Sequence, residues 1–166
     1  MGAGASALIP DLLQHGYQSI DAVDVSAAAL EQLACLLGSD ADKVRRVCAD
    51  VRKVRFDGPI DVWHDRATFH FLTSAQDQAA YVRCVSEAVA PGGHVVLATF
   101  SEAGPEQCSG LPVARHSVNR LRDLFGVSFD LVDSSASEHV TPWGAPQAFT
   151  HVLLRHRRSP LRTGVS

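Results

Sequence analysis

Asp24, Asp50 and the pair His64-Asp65 stand at the ends of three short apolar runs, Ile20 to Val25, Val44 to Ala49 and Ile60 to Trp63. Upstream lies Met1-Gly2-Ala3-Gly4-Ala5-Ser6, and Pro91-Gly92-Gly93 precedes a further run, His94 to Phe100. In an open α/β sheet, ligands bind outside the carboxyl ends of the strands, so polar residues there face the ligand. A glycine loop opening a helix brings backbone N–H groups close to an anionic group, and an acid about 20 residues later can accept hydrogen bonds from ribose hydroxyls. Gly4 and Asp24 have that spacing. The chemistry these residues describe is the holding of a nucleoside.

A Gly-x-Gly pair alone is a weak signal. A dinucleotide fingerprint needs a third glycine near position 7, where Ala7 and Leu8 stand, so pyrophosphate binding and a nicotinamide-dependent oxidoreductase are disfavoured.

Taken together, Gly2-Ala3-Gly4, Asp24, Ala49-Asp50-Val51, His64-Asp65-Arg66 and Pro91-Gly92-Gly93 resemble the class I, seven-strand, S-adenosylmethionine-dependent methyltransferases, from Gly2 to about Arg155. The resemblance implies a Rossmann-like, doubly wound, mostly parallel α/β sheet with helices on both faces and an antiparallel C-terminal strand pair. It implies S-adenosyl-L-methionine as cofactor, with Gly2 and Gly4 against its methionine part, Asp24 beside Val25 on the ribose, and Asp50 with Val51 on the adenine. In that family an apolar strand leads into the glycine loop, whereas this chain starts at Met1 within the motif. The expectation is therefore a methyltransferase lacking its first central strand, which would leave a slot of roughly 10 Å in the sheet.

The same resemblance places His64, Asp65 and Arg66 beside the transferable methyl, His64 also touching the cofactor. Methyl transfer is an in-line displacement in which orientation contributes on the order of 7 to 11 kcal/mol. If the nucleophile carries a proton, Asp65 or His64 is the expected base. Arg66 could hold a substrate carboxylate by a bidentate pair, or form a surface pair with Asp65. Phe69, His70 and Phe71 could wall the acceptor pocket, with core packing as the alternative for the two phenylalanines. Trp143 and Arg115 lie on loops that often cover the acceptor. Asp65-Arg66-Ala67-Thr68 is similar to a stretch of small protein-lysine methyltransferases, but His70 stands where those carry an acid. The acceptor is accordingly a small molecule or a protein side chain. A noncatalytic interaction module is the competing class, and metal binding by His64 and His70 lacks a third ligand.

Composition agrees with a globular protein: 166 residues, 46% apolar and 20% charged. The net charge of −3 argues against a general nucleic-acid binder, and no run is long enough to span a membrane. Cys35, Cys48, Cys84 and Cys108 form no C-x-x-C pair, so reduced thiols in a cytoplasm are expected. Residues 1–156 read as one methyltransferase domain and 157–166 as a basic tail. Oligomeric state is not encoded in any motif.

The elements that must position these groups alternate along the chain. Ser6 should cap a helix from Ala7 to His15, and Ser26 one ending at Gly38 with Leu30, Leu33 and Leu37 on one face. Ser74 should cap a long helix through Ala90, and Ser117 to Phe125 a short one. Val95 to Phe100, Phe129 to Ser135 and Phe149 to His156 read as strands, with Ser101 to Pro112 as a loop.

Overall fold

The computed structural model describes residues 1–4, 6–141 and 144–158. The chain divides into two compact units, Met1–Val54 and Arg55–Ser166.

In the first unit, helix α1 (Leu8–Gln14), strand β1 (Ile20–Asp24), helix α2 (Ala27–Leu37), a 3-10 turn (Gly38–Lys43) and strand β2 (Val44–Cys48) follow one another. The two strands run parallel, with Asp24 opposite Cys48 and an Arg45–Asp21 ion pair of 2.6 Å between facing residues. Ser26 caps α2 as expected, its hydroxyl accepting from the Ala29 N–H at 3.2 Å. Gly38 ends that helix with φ 54°, a left-handed conformation that a side chain would strain. Leu30, Leu33 and Leu37 recur at helical spacing and pack with Ile9, Ala22 and Val44 into one core. Each such buried side chain contributes about 1.5 to 3 kcal/mol. Helix α1 differs from expectation: Ala7 holds the cap position in a helical conformation, while Ser6 accepts from Leu8 N–H.

The second unit carries β3 (Ile60–Arg66), a 3-10 turn (Phe69–Phe71), α3 (Ala75–Ala88), β4 (Val89–Phe100), a small hairpin of β5 (Gln107–Cys108) and β6 (Leu111–Pro112), α4 (Val118–Phe125), β7 (Phe129–Val140) and β8 (Pro146–His156). Its main sheet has the order β3-β4-β8-β7, with β3 and β4 parallel and β8 antiparallel to both its neighbours. The expected mixed α/β architecture with an antiparallel C-terminal pair is thus observed. Trp63, Phe69, Tyr81, Phe125 and Phe129 form its aromatic centre, with ring centroids 4.8 to 5.9 Å apart along the chain of contacts.

Elements of the second unit also depart from the sequence reading, β7 running on to Val140 and β8 starting at Pro146. Strand β3, expected over Ile60 to His64, continues through Asp65 and Arg66. Pro91-Gly92-Gly93 lies inside β4, not ahead of it: Ile60 faces Val89 while Val62 faces His94, so the excess residues bulge out. A Cβ on Gly93 would meet Ala90 O and Asp61 O at 2.9 Å, which explains the glycine. The Ser101 to Pro112 segment contains the β5–β6 hairpin, turned by Ser109 and Gly110 at φ 51° and 78°. Of the expected basic tail, Arg157 is tied down, bonding Asp130 at 2.8 Å and Ser128 O through its own N–H.

Candidate active site

In the first unit the glycine loop and the acid at the end of β1 are brought together. Gly2 and Gly4 both adopt left-handed φ, 60° and 43°, which turns the peptide between them into a tight bend. Gly4 N–H donates to Asp24 Oδ2 at 2.9 Å, across twenty residues of sequence. Ser26 N–H donates to Asp24 Oδ1 at the same distance, and Ala3 N–H donates to Val23 O at 3.0 Å. A carboxylate has about four lone-pair sites, so two backbone donors orient Asp24 and leave acceptor capacity for hydroxyls. Val25, the next residue, is 73% exposed and offers an apolar surface beside that carboxylate.

The end of β2 is adjacent, since Ala49 N–H donates to Asp24 O at 2.9 Å. Asp50 is held by Arg52, whose backbone N–H and Nε reach Oδ1 at 2.8 and 2.9 Å. These bonds lower the Asp50 carboxyl below its ordinary range despite partial burial. Val51 is buried and faces the interior. Arg52 was not singled out from the sequence, although its position two residues past the acid is an ordinary side-chain clamp spacing.

In the second unit, β3 sends alternate side chains to opposite faces. Trp63 and Asp65 point inward and are buried, whereas His64 is half-buried and Arg66 exposed. Asp65 is fully buried, its Oδ2 accepting from Tyr81 Oη at 2.5 Å and its Oδ1 from Thr68 N–H at 2.9 Å. Trp63 Nε1–H donates in turn to Tyr81 Oη at 3.0 Å. Burial raises the Asp65 carboxyl against the pull of those hydrogen bonds, and burial likewise raises the Tyr81 phenol. The bond to Thr68 closes the turn over Ala67, a non-glycine residue at φ 66°. Such a conformation costs of order 1 to 2 kcal/mol and persists where its surroundings enforce it.

Arg66 does not pair with Asp65, since the two leave β3 on opposite faces; its guanidinium lies 5.7 Å from the centre of the Phe149 ring. His64 has its basicity lowered, chiefly by burial, which favours the neutral imidazole. Phe69 is fully buried in the aromatic centre, while Phe71 is 36% exposed. His70 is fully buried between Phe71 and Phe100. Arg115 spends its donors on the 101–106 loop, bonding Glu102 O and the Glu106 carboxylate at 3.1 Å. Trp143 lies outside the described residues. Tyr81 and His116 were missed in the sequence because their partners lie far along the chain, and no local pattern announces them. Among the described residues no group of three His, Cys, Asp or Glu side chains is placed to hold a metal ion.

A family model described as a methyltransferase domain matches residues 1–93. A search of curated protein sequences gave no significant match. Among solved structures, the chain is similar to a SAM-dependent methyltransferase from Methanosarcina mazei, with 14% identity, 95% of this chain and 91% of that one covered, and a TM-score of 0.79. It is similar to the N-methyltransferase NodS from Bradyrhizobium japonicum WM9, with 14% identity, coverage of 95% and 83%, and a TM-score of 0.77. It is also similar to the Burkholderia thailandensis 1,6-didemethyltoxoflavin-N1-methyltransferase, solved with 1,6-didemethyltoxoflavin and S-adenosylhomocysteine bound, with 19% identity, coverage of 94% and 68%, and a TM-score of 0.75. At these identities the likeness is one of fold.

Proposed function

Since the chain belongs to the methyltransferase-domain family, we infer that it transfers a methyl group from S-adenosylmethionine to a small-molecule acceptor. The observation that carries this reading is the grip of Asp24 on Gly4, which presents a carboxylate with spare acceptor capacity at the turn of a glycine loop. When bound, the donor supplies a sulfonium-activated methyl carbon. The chain's part is to hold that donor and orient the acceptor, because alignment accounts for much of the barrier reduction in a displacement.

Asp24 accepts the ribose hydroxyls, its own direction fixed by the Gly4 and Ser26 N–H groups. The exposed Val25 side chain lies against the base, and Gly2 and Gly4 let the backbone approach the methionine part. Asp50, steadied by Arg52, accepts from the adenine amino group, with Val51 beneath it as packing. His64 is the residue suited to take a proton from the acceptor, since burial keeps its imidazole neutral and ready to accept. Asp65 acts through others: its buried carboxylate fixes the Ala67 turn and hence the directions of His64 and Arg66. Arg66, Phe69, His70 and Trp143 belong to the acceptor side, Phe69 as the support on which the turn rests.

A small acceptor is favoured over a protein lysine because His70 stands where small protein-lysine methyltransferases carry an acid. Among the described residues no helix is long and apolar enough to cross a membrane, and the four free cysteines support a reducing compartment, the cytoplasm. The test is to follow S-adenosylhomocysteine formation against a panel of small amines, phenols, thiols and lysine peptides. Turnover with a small molecule supports the proposal. Turnover with the peptides alone, or donor binding without turnover across the panel, contradicts it.

A further inference from the structure

The second unit buries more imidazole nitrogen than it satisfies. His70 is fully buried, and neither of its ring nitrogens has a hydrogen-bond partner among the described residues. His116 is 2% exposed with Nδ1 likewise unpartnered, while its Nε2 lies 3.4 Å from Gln78 Nε2. The two histidines come from distant segments that the backbone ties across the end of β4. Ala114 N–H donates to His70 O at 2.7 Å, and His116 N–H donates to Phe100 O at 2.8 Å. The His70 ring lies over Phe100 at 4.4 Å and meets Phe71 edge to face at 4.5 Å.

Leaving a buried polar atom unmade costs about 1 to 3 kcal/mol, and a fold retains such groups where something outside the chain satisfies them. We propose that His70 and His116 form the recognition subsite for the methyl acceptor, and that the acceptor presents there an uncharged aromatic ring bearing a hydroxyl or ring nitrogen, such as a phenol or hydroxy-heteroaromatic. This rests on the methyltransferase reading and narrows its acceptor class.

The chemistry follows from what two neutral imidazoles offer. Each carries one N–H and one lone pair, so together they suit a partner that both donates and accepts. Burial lowers both His70 and His116 to about 4, with the neighbouring charge of His116 adding to the effect on His70, so both rings are neutral near pH 7. Neither ring supplies a charge to a ligand; the Arg120 charge that acts on His116 disfavours an ammonium, and a carboxylate bears the desolvation cost of a buried ion. Phe71 supplies the aromatic surface an aromatic ligand can pack against, while Phe100, 1% exposed, backs the His70 ring. Phe71, at 36% exposed, is the solvent-facing member of the cluster. A metal is a poorer occupant, since among the described residues no carboxylate or thiolate completes a ligand set with the two rings.

The experiment uses three probes of one size, phenol, benzoate and benzylammonium, added to 15N-histidine-labelled protein while the imidazole signals are followed by NMR. Phenol is expected to shift the His70 and His116 ring signals and to bind at least tenfold more tightly than either charged probe. His70→Phe, or His70→Leu if the first does not fold, should abolish that binding. Unmoved His70 and His116 signals with phenol, or equal binding of a charged probe, overturns the subsite. The thermal shift with S-adenosylhomocysteine, read on the same sample, is independent. Its loss with phenol binding intact counts against the donor reading alone, and its presence with no phenol response counts against the subsite alone.

Discussion

Lowering the pH from 7 to 5 should destabilise the protein substantially, and replacing His70 by phenylalanine should remove a defined part of that loss. The unfolded imidazole titrates at 6.5 and the folded one at about 4, so between those values the unfolded chain binds the extra proton. Stability is then complete above about pH 6.5 and falls as the pH drops toward 4. At pH 5 the loss from one such group is about 2 kcal/mol, and His116, also at about 4, adds a similar amount. His64 and His151, both lowered by burial, act in the same direction, whereas Asp65, raised by burial, acts in the opposite one. These groups remain in the variant and cancel in the comparison. Urea unfolding of both proteins at pH 7 and pH 5, followed by tryptophan fluorescence, should show a pH-dependent loss smaller by about 2 kcal/mol in His70→Phe. At pH 7 the variant should also be more stable by about 1 kcal/mol or more, since two unsatisfied nitrogens are gone. Equal pH losses in the two proteins would refute the argument that a neutral buried imidazole sits at this position.

Tyr81→Phe should cost about 2 to 4 kcal/mol in chemical denaturation, because it strips Asp65 Oδ2 of its donor and Trp63 Nε1 of its acceptor in one change. Gly93→Ala should lower the melting temperature through a loss of about 1 to 3 kcal/mol, the added methyl meeting two backbone oxygens at 2.9 Å. Asp24→Ala should weaken S-adenosylhomocysteine binding at least tenfold by calorimetry, since a charged acceptor contributes about 1.5 to 3 kcal/mol through its hydrogen bonds. An unchanged dissociation constant in a folded variant would remove Asp24 from the donor site.

The meeting of the glycine turn with Asp24 was readable because it is written in short-range signals: glycines that need positive φ, and an acid where an apolar run stops. Asp65, read as a base facing the methyl, instead points inward and is fully buried, a direction set by the phase of β3, since residue 65 shares the face of Trp63. What stayed hidden was structure held by backbone pairing. Residues Ala136 to Val140 lack apolar alternation and are exposed, yet they extend β7 in register from Thr150 to Pro146. Pro91-Gly92-Gly93 carries the composition of a break, but a bulge accommodates it within β4. His116 and Gln78 are 38 residues apart, and no local pattern predicts that they meet.

The most direct test of the central claim is thermal unfolding of the 166-residue protein with and without excess S-adenosylhomocysteine. A ligand present at about 100 times its dissociation constant adds roughly 2.7 kcal/mol of stability. An upward shift that is abolished in Asp24→Ala is the predicted result. A cooperative transition that saturating S-adenosylhomocysteine leaves unmoved would contradict the assignment of Gly2, Gly4, Asp24 and Asp50 to a methyl-donor site.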